Sequence, residues 1–453
     1  MSWVNISSMY DARWKAHLTL ICFAKGTESM AEEQKILSGS LPDSFRDRLK
    51  RLWNRFFRFS VLKHLLTLLC FPGAMLLYLF RIRILINCKT SGIGHLAMEP
   101  AWFIARKTLY KKRFKKKFFV LLINESEVAN RCLAEMFKSN FCQFYSKTIN
   151  WMLEQVARYE FISVDIGVAP PIGTPLDRNF TIQRNQRHAV MMKDTQAYRN
   201  RYSKSFVQLP DKILKKGRDN LEILGIGKND WFVCLHAGEV TTDSIWNYEL
   251  FRRNQVGDYF DLIEYITGIG GKVVRMGHQK VPAVTQKVPI IDYPRSSVWS
   301  DWMDIYLIHE CKYFIGCQSG LQLVAVILGK PLLLTNIIPW PMVNGYDGDI
   351  YLPKLIRLKE TGDYISIREY LDNELHLAQF TMPDRFEVVP NSGEDLINAA
   401  KEMEEYLKNG LPEEDDLQRL WKSFFPSGSQ CQCSDVRVSA SFLRKYEDVL
   451  FRV

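Results

Sequence analysis

Several things are missing from this 453-residue sequence, and each absence narrows what it can be. Residues 1–45 contain no basic start feeding an apolar core and a small-residue cleavage site, so no secretory leader is read there. The apolar run Leu65–Phe80 falls short of the ~20 residues a bilayer-spanning helix needs, and Pro72-Gly73 interrupts it midway. Cys431-Gln-Cys433 has no second ligand pair for a zinc site, and the other cysteines are scattered, several of them inside apolar runs. This usage reads as a reducing, cytoplasmic compartment. Gly92-Ile-Gly94 lacks the third glycine of a dinucleotide fingerprint. No stacking platform or module for nucleic acid is found.

What is present is a lopsided charge. Residues 41–120 hold 18 Lys and Arg against 3 Asp and Glu, a local +15 in a chain whose formal total is +10. Such asymmetry implies a local anionic partner. Arg48–Arg58 interleaves basic and bulky apolar residues as an interfacial helix does, and Leu65–Phe80 follows without a charge. The block Lys111–Lys117 adds attraction to anionic lipid. Residues 1–80 are therefore expected to be a membrane-associating extension carrying a helical anchor that dips rather than spans, with a buried core helix as the alternative.

The rest alternates strand and helix, the pattern of parallel sheets covered by helices. Ile82–Asn87 and Phe118–Ile123 read as strands around a Gly-rich turn and a helix, within an expected domain 81–222. Residues 165–220 carry little pattern and read as loops and helices. A second domain, 223–400, restarts with strands Trp231–His236, Lys272–Gly277 and Val288–Asp292. It continues through Tyr313–Gly316, the turn Cys317–Gly320, the helix Leu321–Leu328 and the strand Pro331–Thr335. Residues 401–453 read as an acidic tail. The expected fold is α/β, two Rossmann-like domains whose parallel sheets face a cleft.

Ligands bind at the carboxyl ends of such strands. Ser319 and Gly320 open a helix there, where free N–H groups and the positive dipole end suit a phosphate; the plainer reading is an N-cap and a turn. Arg275, on the same sheet edge, either pairs with a diphosphate or makes a salt bridge to Asp292 or Asp301. His95 follows the first Gly-rich turn and is a candidate base or a surface residue. Glu99, four residues on, shares its helix face and is the rival. Asp347-Gly-Asp349 matches the metal-binding Asp-x-Asp of some transferases, yet its Gly/Asn-rich setting reads as a solvated loop.

The runs Trp231–His236, Phe251–Asn254, Gly270–Gly277, Ser300–Tyr306, Phe314–Gly316 and Ser319–Leu321 resemble a bacterial family of glycosyltransferases from surface-polysaccharide clusters, over roughly residues 80–370. Gln318–Pro331 is also similar to the donor loop of heptosyltransferases, with Gln318 where an Asp would stand. Gly94-His95 resembles that group's Gly-Asp after the first strand, His replacing the carboxylate base. The resemblance implies a GT-B architecture with the nucleotide-sugar donor in the C-terminal domain, at His236, Glu239, Arg253, Arg275, Gln318, Ser319 and Gly320. The family's His-x-Arg is here His236-Ala-Gly-Glu239, so leaving-group stabilisation falls to Arg252, Arg253 or Arg275.

The expected activity is metal-independent transfer of a sugar from a nucleotide sugar to a hydroxyl of a glycan or lipid-linked acceptor in surface-polysaccharide biosynthesis. It needs no cofactor and no nucleic acid. His95 or Glu99 would be the base, with the protein peripheral at the inner face of an anionic membrane. A nucleotide-sugar epimerase or hydrolase on the same scaffold, and a silent glycan-binding or assembly protein, are the alternatives.

Overall fold

The computed structural model describes residues 68–168, 178–239, 251, 253–377 and 382–452. The chain divides into two compact units, Met1–Cys70 and Phe71–Val453. All elements named below belong to the second. The segment Arg48–Thr67 of the expected membrane anchor lies outside the described residues, as does Arg252. Among the described residues no helix is long and apolar enough to cross a membrane.

Two parallel sheets build this unit. The first holds β1 (Ile82–Ile86), β2 (Phe118–Leu122), β3 (Cys142–Phe144) and β4 (Ser163–Asp165) in the order β3-β2-β1-β4. Its helices are α1 (Ile93–Leu109), α2 (Lys111–Phe114), α3 (Arg131–Met136), α4 (Lys147–Val156), α5 (Arg178–Arg201) and α6 (Asp211–Ile223). The second sheet holds β5 (Phe232–His236), β6 (Lys272–Arg275), β7 (Ile290–Asp292), β8 (Phe314–Gly316), β9 (Leu332–Ile337) and β10 (Ile350–Pro353). Its order is β13-β10-β9-β8-β5-β6-β7, after the pair β11 (Leu355–Leu358) and β12 (Phe386–Val389), which forms a separate antiparallel sheet, and β13 (Arg437–Val438). Helices α7 (Phe260–Gly268), α8 (Asp301–Glu310), α9 (Gly320–Ile327), α10 (Ile367–Asp372), α11 (Gly393–Asn409), α12 (Asp416–Phe424), α13 (Ala440–Lys445) and α14 (Glu447–Leu450) complete the chain.

Unbroken apolar runs make the central strands. β8 and β9 are buried along their whole length, as strands covered on both faces must be. The strand orders then locate two crevices. In the first sheet β2 and β4 leave β1 on opposite sides, and in the second β6 and β8 flank β5. At each such reversal the loops at the carboxyl ends diverge and leave room for a ligand.

One reading of the sequence needs correction here, and another is made definite. Residues 401–453 are not a tail: β13 pairs with β10 at the sheet edge, and Trp421, Phe425, Phe442 and Leu450 are buried. Residues 178–201, within the stretch that carried little pattern, form one 24-residue helix, α5. This helix is a polar strut between the sheets. Asp194 accepts hydrogen bonds from Trp102 Nε1 and the Tyr110 hydroxyl on the first side. Arg199 donates to the Val326 carbonyl, and Thr195 bonds the Tyr346 hydroxyl, on the second.

Candidate functional site

The two crevices meet. The loop after β1 leads into α1, and the loop after β8 leads into α9, so both helices present their N-termini at carboxyl sheet edges. These N-termini touch through glycines. A Cβ added to Gly94 would lie 3.1 Å from the Gly320 Cα, and one added to Gly320 would lie 3.0 Å from the Gly94 nitrogen and 2.4 Å from Ile93 Cγ2. Only a residue without a side chain permits that approach. Each N-terminus carries roughly half a positive charge and several N–H groups without helical partners. Two such ends side by side repel one another unless an anion stands near both.

His95 follows Gly94 directly. Its Nδ1 lies 2.8 Å from Glu99 Oε1, and its side chain is 26% exposed while that of Glu99 is fully buried. Glu99 Oε1 also accepts from the Val168 backbone N–H at 3.1 Å, and Oε2 accepts from the Lys89 N–H at 3.1 Å. Its oxygens are thus committed to groups of the first sheet's crevice, which a buried carboxylate requires. A carboxylate at Nδ1 fixes the proton there and leaves Nε2 as the acceptor. Glu99, expected as a rival base, is fully buried with both oxygens engaged, so it presents no free carboxylate to an acceptor.

On the other side, Ser319 is the N-cap of α9, its Oγ accepting from the Gln322 N–H at 3.3 Å. The capping role is therefore real, and it satisfies one of the N–H groups that open α9. Gln318 donates from Nε2 to the Met342 carbonyl. His236 ends β5 half-buried, with Nδ1 lacking a partner among the described residues. Burial, and then the Arg275 charge, hold its imidazole down to about 4. The Arg253 backbone carbonyl accepts from the buried Lys354 Nζ at 3.0 Å.

Arg275 is not placed to receive a diphosphate. It is fully buried, with Nε and Nη2 forked onto Glu239 at 2.7–2.9 Å, Nη1 on Asp292 Oδ1 at 2.9 Å and Nη2 on the Pro282 carbonyl at 2.7 Å. The salt bridge to Asp292 is the reading that holds, and Glu239, expected to bind the donor, is its second carboxylate. Asp349 is corrected as well. It is 1% exposed rather than solvated, and accepts the Leu332 and Tyr346 backbone N–H groups at 2.9 and 2.7 Å.

One residue of the site gave no signal in the sequence. His188, on α5 and 8% exposed, has neither ring nitrogen bonded among the described residues. Burial, then the charges of Arg184 and His95, hold it down to about 3, which keeps a neutral ring beside His95. The unfolded ring takes its proton near pH 6.5. Between that pH and about 3 the unfolded chain therefore binds one more proton, and stability falls as pH falls. Asp304 and Asp349, which burial pushes up to about 7, act in the opposite sense. The informative quantity is thus the difference between variant and parent. His188→Gln is expected to reduce the loss of stability between pH 7 and pH 5 by about 1–2 kcal/mol, read from urea midpoints. Equal losses in the two proteins would show that His188 is solvated.

No family model matches the chain, and no curated protein sequence does. Among solved structures, it is similar to a glycosyl transferase family 9 protein from Veillonella parvula at 14% identity, over 71% of this chain and 96% of that one, with a TM-score of 0.42. It is also similar to the Escherichia coli dodecameric iron-containing heptosyltransferase TibC in complex with ADP-D-β-D-heptose, at 12% identity over 72% and 77% of the two chains, TM-score 0.37. A third is the E. coli ADP-heptose LPS heptosyltransferase II, at 11% identity over 56% and 84%, TM-score 0.34. Superpositions this loose leave the chemistry to be argued from the residues of this chain.

Proposed function

We propose that the protein is a glycosyltransferase that moves a sugar from a nucleoside-diphosphate donor to a hydroxyl group of a glycan or lipid-linked acceptor. The observation that carries the reading is the contact of Gly94 with Gly320, which sets an oriented imidazole beside an anion-favouring helix end. The donor diphosphate lies against the N–H groups that open α9. His95 Nε2 accepts the acceptor's hydroxyl proton as its oxygen attacks the anomeric carbon. The bond from that carbon to the phosphate oxygen breaks, and the nucleoside diphosphate leaves with its charge facing the two helix ends. With Arg275 committed to Glu239 and Asp292, these ends and Arg253 are the candidates to offset that charge, without a metal or cofactor.

The acceptor side is proposed to be a membrane. Helical residues 71–79 and the turn after them expose Phe71, Leu76, Tyr78, Leu79 and Phe80, and Phe118 at the start of β2 is 68% exposed. Arg81, Lys115 and Lys116 stand among them in sequence and are also exposed. A surface of this composition suits peripheral attachment to anionic lipid at the inner face of the membrane, in surface-polysaccharide synthesis. A screen of nucleotide sugars for hydrolysis or transfer tests the activity. Turnover of one donor that disappears in His95→Ala supports it, and binding without turnover of any donor would favour the silent scaffold.

A further inference from the structure

A second cationic site lies at the far end of α1, which ends at Leu109, about 21 Å from His95 at 1.5 Å per residue. There a cavity of about 650 Å³ opens between the end of α1, α2 and the end of α5, lined among others by Arg106, Lys111, Lys112, Arg113, Arg201 and Tyr202. No carboxylate lines it. Tyr202 carries two of the cations on its ring, Lys111 Nζ at 5.6 Å and the Arg201 guanidinium at 5.7 Å from the centroid. Among the described residues, Arg106 is the one cation of this lining in an ion pair, with Asp194 at 3.4 Å.

Complementing helix dipoles does not account for this cluster. The carboxyl ends of α1 and α5 supply about half a negative charge each, and Asp194 supplies one more. Five cations set against these leave an excess of about three. Like charges held together around an open cavity, with too few counter-charges to balance them, favour an anion there.

The apolar surface described above follows the cavity's α2 rim along the chain: the Lys117 N–H donates to the Phe114 carbonyl at 3.3 Å and the Phe118 N–H to the Arg81 carbonyl at 3.0 Å. Burial, then the charges of Arg83 and Arg113, hold the Lys117 ammonium below its ordinary value, so these three cations lie within reach of one another. Arg83 in turn sits over the Tyr78 ring at 4.4 Å. Cationic cavity and exposed apolar helix are therefore joined through Arg113, Lys117 and Arg83.

We infer that this cavity binds the phosphate of a lipid headgroup, while residues 71–80 and Phe118 meet the acyl boundary beside it. The lipid source rests on the membrane reading above; the phosphate chemistry does not. Bound this way, the molecule would stand on the bilayer with the His95 end of α1 directed away from the surface, suited to an acceptor whose reacting sugar is held well clear of its lipid.

The test uses the full chain. Sedimentation with phosphatidylcholine vesicles containing phosphatidic acid is compared with sedimentation with phosphatidylcholine alone, and glycerol 3-phosphate is titrated in solution. The wild type is expected to favour the phosphatidic acid vesicles. Lys112→Glu/Arg201→Glu, at two exposed positions, is expected to weaken that binding about tenfold or more and to leave nucleoside-diphosphate affinity unchanged. Leu76→Asp/Leu79→Asp is expected to weaken binding to both kinds of vesicle. Wild-type vesicle binding that the cavity variant retains in full overturns the cavity site while the membrane reading stands. Glycerol phosphate binding that the cavity variant loses, with no wild-type binding to vesicles, overturns the lipid source and the membrane reading together. Binding of neither probe overturns the inference.

Discussion

Replacing His95 with Ala is expected to lower sugar transfer by about 10²–10⁴-fold, the usual contribution of a positioned base, while nucleoside-diphosphate affinity stays near that of the parent. The reason is geometric. The imidazole follows Gly94, whose backbone meets Gly320, whereas the diphosphate is proposed to bind the N–H groups that open α9. Glu99→Gln should act differently. It keeps the shape but has one carbonyl oxygen where Glu99 uses two, so it can accept from only one of the Lys89 and Val168 N–H groups, and it stabilises the imidazolium formed in the reaction less well. The expected result is a fall in kcat with KM little changed, and a displaced acid limb in the pH–rate profile. A merely structural Glu99 would move stability and leave that limb in place. Near-normal transfer by a folded His95→Ala protein would remove His95 from the chemistry.

The second large effect is one of stability. Arg275→Ala leaves Glu239 and Asp292 as carboxylates in a low-dielectric site, 10% and 21% exposed, without their counter-charge. Breaking a buried pair in this way costs about 3–5 kcal/mol. Arg275→Lys should recover only part of it, because an ammonium cannot fork onto Glu239 while reaching Asp292. Urea unfolding at neutral pH measures both. Diphosphate affinity should be unchanged in whatever fraction folds. An unchanged unfolding midpoint, with affinity down tenfold, would mean that Arg275 leaves its carboxylates to hold the ligand.

These two residues also show how far sequence alone could be read. His95 and Glu99 are legible as a pair because four residues on one helix place them on one face. Which of them meets solvent was not, since Lys89 and Val168 fix it through the backbone. Arg275 was legible as a cation at a sheet edge, but its partner Glu239 sits 36 residues away across a loop, and no spacing rule reaches that far. The strands of the second sheet were legible because their apolar runs are short and bounded by Gly or Pro. Helix α5 was not, because its few apolar residues, the buried Met191 and Met192 among them, do not form a stripe at helical spacing, and it is held by individual hydrogen bonds to α1, α9 and the Tyr346 loop. His188 shares that obscurity, lying among the arginines of a helix that reads as surface. The acidic composition of 401–453 likewise concealed Trp421 and Phe442, whose burial depends on β13 reaching the sheet edge.

The central claim is that one anion site lies where α1 and α9 touch, and calorimetric titration of a nucleoside diphosphate and its parent nucleoside measures it most directly. In the wild type the diphosphate should bind at least about tenfold more tightly, since charge-assisted bonds to backbone N–H groups each contribute about 1.5–3 kcal/mol. Gly320→Ala drives a methyl group toward Ile93 and the Gly94 nitrogen, parts the two helix ends, and should erase most of that difference in a protein that still folds. Equal affinity for diphosphate and nucleoside in the wild type, or a difference that survives Gly320→Ala intact, would contradict the account.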